Sequence, residues 1–188
     1  MAVARKAKIT LISVEQYGTS PGVRLLSAIL KRAGYETRVI FVQGAVSRTV
    51  VMGRARVFSD SIHDEITELA ADSLYVGLSV ITPTYHAAKE LTLQIKSRIT
   101  SPVIWGGIHA TAKPDECLEQ ADMVCVGEGE ALVVDLADRL RKHRAYNDIP
   151  GLRLRDDLPV VPAPQSDLSQ LPNPKLITGY WVQSISLR

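Results

Sequence analysis

Cysteine is scarce in this chain: Cys117 and Cys125 are the only two among its 188 residues. They form no CxxC pair and no metal-ligand spacing, so the sequence supports neither a disulfide framework nor a zinc site. Long apolar runs are also missing, because no stretch reaches the roughly 18 residues that a membrane span requires. The start lacks the apolar core of a signal peptide. The sequence therefore predicts a cytoplasmic protein without a membrane span.

Several familiar nucleotide and phosphate motifs are absent as well. No GxxxxGK[ST] loop occurs, and the loop after the first predicted strand holds only Gly18 and Gly22 in place of GxGxxG. The third predicted strand ends at Ser79 and lacks the aspartate that a phosphoacceptor domain of similar topology needs. The formal net charge is +2, and the basic residues do not gather into a stripe. This distribution argues against a nucleic-acid partner.

Short apolar runs alternate with helical patterns along the first 146 residues. The predicted strands lie at 9–14, 37–42, 74–79, 102–105 and 123–126. The predicted helices lie at 21–33, after an N-cap at Ser20, at 61–71, at 82–99, after Pro114, and at 130–142. Because helices between strands demand right-handed crossovers, we predict an α/β fold. It is a doubly wound, mostly parallel five-stranded sheet, Rossmann-like or flavodoxin-like, in the order 2-1-3-4-5.

The chain changes character after residue 146. Apolar residues at 149–154 and 160–161 flank the turn signal Asp156–Asp157 and predict a small hairpin. Prolines then punctuate an extended arm. We therefore divide the chain into an α/β domain at 1–146 and a hairpin with a proline-rich linker at 147–188. The segment 43–59 shows no clear pattern.

Two glycine-rich turns follow neighbouring strands of the predicted sheet. Gly106 and Gly107 end the fourth strand, and Gly127 and Gly129 follow the fifth. In open α/β sheets ligands bind beyond the carboxyl ends of the strands, where glycine lets a ligand approach the backbone closely. With the hydroxyl groups that follow the third strand, these turns predict a binding site for a flat or large ligand.

The strings around these turns are specific enough to indicate a family. They are WGGIHAT at 105–111, ADMVCVGEGE at 121–130, VGLS at 76–79 and IPGL at 149–152. Together they resemble the amino-terminal cobalamin-binding domain of radical S-adenosylmethionine enzymes. The resemblance covers about residues 9–171. It implies a corrinoid on the carboxyl edge of the sheet, with its nucleotide tail inserted beside the paired glycines.

The resemblance also implies which residues contact the cofactor. Ser79, Thr82, Gly106 and Gly107 would line the tail slot, and Gly127, Glu128 and Gly129 would edge the same pocket, with Tyr17, Gly18 and His109 on its rim. His109 either binds a cofactor amide or fixes its own loop. Glu128 and Glu130 either transfer a proton or complement the dipole of the following helix, and the second role is the more common one. His63 and His143 are expected on the surface, and no residue is expected to bind a metal directly.

Two departures from the family bear on the function. The loop at 15–22 reads EQYGTSPG and lacks the DxHxxG histidine that ligates cobalt in some cobalamin proteins. Either cobalt has no protein ligand on the lower face of the corrin ring, or the domain keeps the fold without the cofactor. The chain also lacks CxxxCxxC, the ligand motif of a [4Fe-4S] cluster in radical enzymes.

The sequence is therefore expected to be the non-catalytic amino-terminal part of a longer enzyme, of methyltransferase or cyclase type. Its partner in cis would be a radical S-adenosylmethionine domain that holds the cluster and S-adenosylmethionine. Two alternatives stay open at this point. The first is a recognition or interaction domain without cofactor. The second is a flavodoxin-like domain that binds flavin mononucleotide, which Thr19, Ser20 and Gly22 suggest.

Overall fold

The computed structural model describes residues 6–14, 20–43, 57–155 and 180–183. Their strands are β1 (Lys8–Val14), β2 (Glu36–Gln43), β3 (Ser73–Ser79), β4 (Val103–Gly106), β5 (Met123–Cys125), β6 (Leu152–Leu154) and β7 (Tyr180–Gln183). They form one sheet in the order β6-β5-β4-β3-β1-β2-β7. All neighbours are parallel except β5 and β6. The predicted α/β class and the order 2-1-3-4-5 are confirmed, and one strand is added at each edge.

The helices lie on both faces of the sheet. They are α1 (Pro21–Arg32), α2 (Asp60–Ala70), α3 (Tyr85–Lys96), α4 (Ile108–Ala112), α5 (Pro114–Leu118) and α6 (Glu130–Arg141). A single 3₁₀ turn (Thr82–Thr84) precedes α3, so the helix predicted at 82–99 consists of two elements. Helix α4 was not predicted from the sequence. Among the described residues, no helix has the length and apolar character needed to cross a membrane.

The strands at the centre of the sheet are buried on both sides. All residues of β1 are buried, as expected when helices cover both faces of a parallel sheet. Because successive side chains alternate in direction, Ile9 and Leu11 pack in the core beneath α1 and α6. Ile12 and Val14 pack in the core beneath α2 and α3. The sheet thus separates two cores, each closed by its own helices.

The two outer strands come from the carboxyl-terminal part of the chain. Strand β6 pairs antiparallel with β5, with Cys125 opposite Leu152. Strand β7 pairs parallel with β2, with Ile40 opposite Tyr180. The second strand of the predicted hairpin, at 160–161, and most of the proline-rich arm lie outside the described residues, as does most of the segment 43–59. The division of the chain at residue 146 stays a prediction.

Candidate functional site

A cleft of about 200 Å³ opens at the carboxyl edge of the sheet, on the face covered by α1 and α6. Its floor comes from β1, β3, β4 and β5, and the two helices form its sides. The lining residues are Leu11, Gly22, Val23, Leu26, Tyr75, Gly77, Leu78, Ser79, Ile104, Gly106, Gly107, Cys125, Gly127, Glu128, Gly129, Glu130 and Val133. Apart from the two glutamates and a few hydroxyl and thiol groups, this lining is apolar or glycine.

Most of the residues predicted to contact a ligand meet in this cleft. They are Ser79, Gly106, Gly107, Gly127, Glu128 and Gly129. Thr82 and His109 do not line it and contact each other instead. Tyr17 and Gly18 lie outside the described residues. The structure therefore brings both glycine turns and the end of β3 to one site.

The lining residues of β1, of the inner part of β3 and of the two helices were not predicted from the sequence. Gly77 lies inside β3 and lines the cleft next to Leu11, whose Cδ2 would be 2.9 Å from a Cβ at this position. Tyr75 is completely buried and donates a hydrogen bond of 3.0 Å to the carbonyl of Val133 in α6. The available signal was Gly77 itself, because an isolated glycine within a strand often marks a close approach.

The turn at Gly107 requires glycine. Its φ is +99° and its ψ is −175°, a backbone conformation that is essentially restricted to glycine. A Cβ here would lie 2.9 Å from the carbonyl oxygen and 3.2 Å from the nitrogen of Val80. That Val80 nitrogen donates to Gly106 at 2.8 Å, and the Val80 oxygen accepts from the backbone of His109 at 3.2 Å. The turn is thereby fixed against the end of β3.

The second glycine turn is held in a similar way. Gly127 has a φ of +87°, and its N–H donates to Oγ1 of Thr111 at 3.1 Å. Gly129 precedes α6 with an ordinary φ of −93°. A Cβ at Gly129 would make van der Waals contact with Leu26 at 3.5 Å and with the sulfur of Cys125 at 3.7 Å. Gly129 therefore leaves open space between α1 and β5.

Two carboxylates lie at the mouth of the cleft. The nearby charge of Glu130, together with burial, raises the pKa of Glu128 above its usual value. Burial, with both carboxylates adding to it, raises the pKa of the Cys125 thiol to about 12. Cys125 is therefore a neutral thiol at physiological pH. The mouth of the cleft is acidic and its interior is uncharged.

The histidines divide between buried and exposed positions. His63 was expected on the surface, and this is wrong: it is 1% exposed, with Nε2 lying 3.0 Å from a carboxylate oxygen of Glu90 in α3. Its ring also meets Phe58 edge to face. His143 is exposed, as predicted. Among the residues that the structure describes, no three His, Cys, Asp or Glu side chains come together as a metal site.

Residues 7–137 match the profile of the family described as the B12 binding domain. The matched region contains the strands β1 to β5 and every residue that lines the cleft. The chain belongs to the B12-binding domain family. This membership confirms the resemblance of the two glycine turns to cobalamin-binding domains.

Parts of three larger proteins are similar to this B12-binding domain. It is 32% identical over 98 residues to the anaerobic magnesium-protoporphyrin IX monomethyl ester cyclase of Synechocystis sp., covering 48% of this chain and 20% of that protein. The radical S-adenosylmethionine methyltransferase TsrM from Kitasatospora setae, solved with cobalamin and a [4Fe-4S] cluster, superposes with a TM-score of 0.66. That match has 18% identity over 90% of this chain and 31% of that one.

The fold also matches OxsB, a cobalamin-dependent S-adenosylmethionine radical enzyme solved with aqua-cobalamin. The TM-score is 0.68 with 18% identity, over 91% of this chain and 24% of OxsB. The B12-binding domain described here thus spans between a fifth and a third of the length of these proteins. The structural matches establish the shared fold of the B12-binding domain.

Proposed function

We propose that this domain binds cobalamin at the carboxyl edge of its sheet and holds the nucleotide tail of the cofactor in the cleft between α1 and α6. The observation that carries this proposal is the cleft itself, in a member of the B12-binding domain family. It is apolar within and is lined by glycines of the turns that follow β4 and β5 and by Gly77 inside β3. A planar base with an apolar face suits such a cleft, because burial of apolar area is the main source of its binding energy.

The residues of the cleft fit this ligand in their chemistry. Gly106 and Gly129 present backbone where a side chain would fill space that a ring can occupy, whereas the space beside Gly77 is taken by Leu11. The Ser79 hydroxyl is a polar group in the lining and can bond a ring nitrogen. One carboxylate oxygen of Glu130 is buried without a hydrogen-bond partner in the described part of the chain. It is a natural acceptor for a hydroxyl or amide group of the bound cofactor.

We expect that the nucleotide base does not ligate cobalt in the bound cofactor, and that no protein histidine ligates cobalt in its place. The cleft can accept the base only if the base is away from the cobalt, and the loop at 15–22 contains no histidine. When bound, cobalamin supplies a cobalt centre that can carry a methyl group or an electron. This chain supplies position and shielding for that centre.

We further propose that the domain acts in cis with a radical S-adenosylmethionine domain. The matched region of the chain contains no CxxxCxxC motif, so the [4Fe-4S] cluster and S-adenosylmethionine would be held by that other domain. TsrM and OxsB, which are radical S-adenosylmethionine enzymes solved with bound cobalamin, support this arrangement. By itself the chain is expected to bind the cofactor without catalysing a reaction.

A spectroscopic titration with hydroxocobalamin tests the proposal. We expect the purified chain to retain the cofactor on gel filtration. The absorption spectrum of the bound cofactor is expected to be that of the base-off form, in which the nucleotide base does not ligate cobalt. After reduction to cobalt(II), the electron paramagnetic resonance spectrum is expected to lack splitting from an axial nitrogen. Cobinamide, which has the corrin ring but no nucleotide tail, is expected to bind at least about tenfold more weakly, the equivalent of losing 1.4 kcal/mol of contacts.

A pair of variants locates the tail. Gly129→Leu places a side chain between Leu26 and Cys125, in the cleft, at a position without backbone strain. Ala131→Leu places the same leucine side chain at an exposed position of α6 that does not line the cleft. The first variant is expected to abolish the difference between cobalamin and cobinamide, and the second to leave it unchanged. Equal affinity of the two corrinoids for the unmodified chain would contradict the tail position, and no retention of either would contradict cofactor binding.

A further inference from the structure

A polar cluster lies beside the cleft, on the opposite face of the sheet. His109, in α4, is only 4% exposed, and its Nδ1 lies 3.1 Å from Oγ1 of Thr82. Thr82 itself is exposed and follows β3 three residues after Ser79, which lines the cleft. A buried imidazole thus contacts the hydroxyl group of an exposed residue at the carboxyl edge.

The other ring nitrogen of His109 faces an acid. Nε2 lies 4.0 Å from Oε2 of Glu116 in α5 and is buried without a hydrogen-bond partner among the described residues. The same Glu116 oxygen is 3.8 Å from Nζ of Lys113. The ring of Tyr85 lies against the imidazole, with 5.1 Å between centroids. His109 is therefore enclosed by α3, α4 and α5 and has little freedom to reorient.

The position of the Glu116 carboxylate favours one tautomer of the imidazole. A carboxylate accepts hydrogen bonds and attracts an N–H, so Glu116 favours the proton on Nε2. Nδ1 is then an acceptor, and the Thr82 hydroxyl must donate to it. The remaining lone pairs of the Thr82 oxygen are left to accept a hydrogen bond from outside the protein.

We propose that His109 is a positioning residue that fixes the Thr82 hydroxyl as a hydrogen-bond acceptor for an amide N–H donor bound at the carboxyl edge. This inference rests on the proposed function, because primary amides surround the corrin ring of cobalamin. His109 acts through Thr82 and does not itself contact the cofactor. The two roles considered for His109 from the sequence are thereby joined: it fixes its surroundings, and through them it contributes to recognition.

The tautomer is tested first, on the chain without cofactor. A long-range ¹H–¹⁵N correlation spectrum is expected to show His109 protonated on Nε2 and unprotonated on Nδ1 at pH 7.5. His109→Asn assigns the resonance. Protonation on Nδ1 would overturn the inference whatever the outcome of cofactor binding.

A double-mutant cycle tests the route through Thr82. Thr82→Val removes the hydroxyl group and is expected to weaken hydroxocobalamin binding about three- to tenfold, the usual effect of one hydrogen bond. His109→Leu is expected to weaken binding similarly in the unmodified chain and to have no further effect in Thr82→Val. His109→Asn, whose amide oxygen can take the place of Nδ1, is expected to restore affinity to within about twofold of the unmodified chain.

Additive losses in the cycle would show that His109 acts independently of Thr82, and failure of His109→Asn to restore affinity would point to packing alone. Both results overturn the inference. If His109→Leu does not fold, the inference is still tested by the hydroxocobalamin affinities of Thr82→Val and His109→Asn and by the tautomer of His109. If the unmodified chain binds no hydroxocobalamin, the proposed function fails and the tautomer alone tests the arrangement of His109.

Discussion

Replacement of Gly107 by alanine probes the backbone on which the site depends. The residue has a φ of +99° and a ψ of −175°, a conformation that costs a non-glycine residue about 1–3 kcal/mol. The new Cβ would also lie 2.9 Å from the carbonyl oxygen of Val80, so the backbone of one turn must move. Together, strain and displacement are expected to lower the free energy of unfolding by about 3 kcal/mol.

Two alanine variants separate strain from steric conflict. Gly34 has a φ of +93° with open space around a Cβ, so Gly34→Ala is expected to lose only about 1 kcal/mol. Gly129 has ordinary backbone angles and room for a Cβ, so Gly129→Ala is expected to change stability by less than about 1 kcal/mol. Urea denaturation at 25 °C measures all three. A loss in Gly107→Ala no larger than in Gly34→Ala would refute the role of the Val80 contact.

Three further predictions concern the cleft and the two buried thiols. Glu130→Gln is expected to lower the pKa of Glu128 toward its ordinary value in a ¹³C NMR titration. A raised pKa favours the protonated carboxyl in the folded state. The unmodified chain should therefore lose stability relative to this variant as the pH rises from the ordinary pKa of a glutamate through the raised pKa of Glu128. Identical titrations of Glu128 in the two proteins would contradict its interaction with Glu130. Burial raises the pKa of Cys117 and Cys125 to about 12, so native thiols should react with a disulfide reagent at least about 100-fold more slowly than in urea. Tyr75→Phe is expected to lose about 1 kcal/mol of stability in urea denaturation, and an unchanged stability would show that the hydrogen bond to Val133 contributes nothing.

The glycine turns were predictable from the sequence because their signal is local. An apolar run that stops at Gly106 or Gly127 specifies both a buried strand and a tight turn. The parallel order of the strands then brings such turns to one edge, which is why most predicted site residues meet in the cleft. Tyr17 and Gly18 remain predictions, since the described residues do not include them.

Contacts between distant helices were not predictable in the same way. His63 follows Ile62 on α2, and counting apolar residues alone places it at the edge of the buried face. Its burial depends on Glu90, a residue of α3 that also accepts hydrogen bonds from the backbone of Val57 and Phe58 at 2.8 and 3.1 Å. A buried polar side chain needs such a partner, and the sequence does not show which helix supplies it.

The same dependence on tertiary contacts explains the wall of the cleft. Leu26 and Val133 belong to helical faces that predict burial against the sheet. Where a helix stands away from the sheet at its carboxyl edge, however, the same side chains line a cleft instead of a core. Glycine at 129 leaves room beside Leu26 for such a cleft, whereas glycine at 77 makes room for Leu11.

The paired glycines connect the two halves of the site. On one face Gly107 lines the apolar cleft. On the other, the Val80 oxygen that would meet its Cβ accepts the backbone hydrogen bond of His109, whose ring holds Thr82. A shift of Val80 would therefore alter the cleft and the polar cluster together. Gly107→Ala is thus expected to weaken hydroxocobalamin binding even at temperatures where it stays fully folded, and unchanged affinity there would show that the two halves are independent.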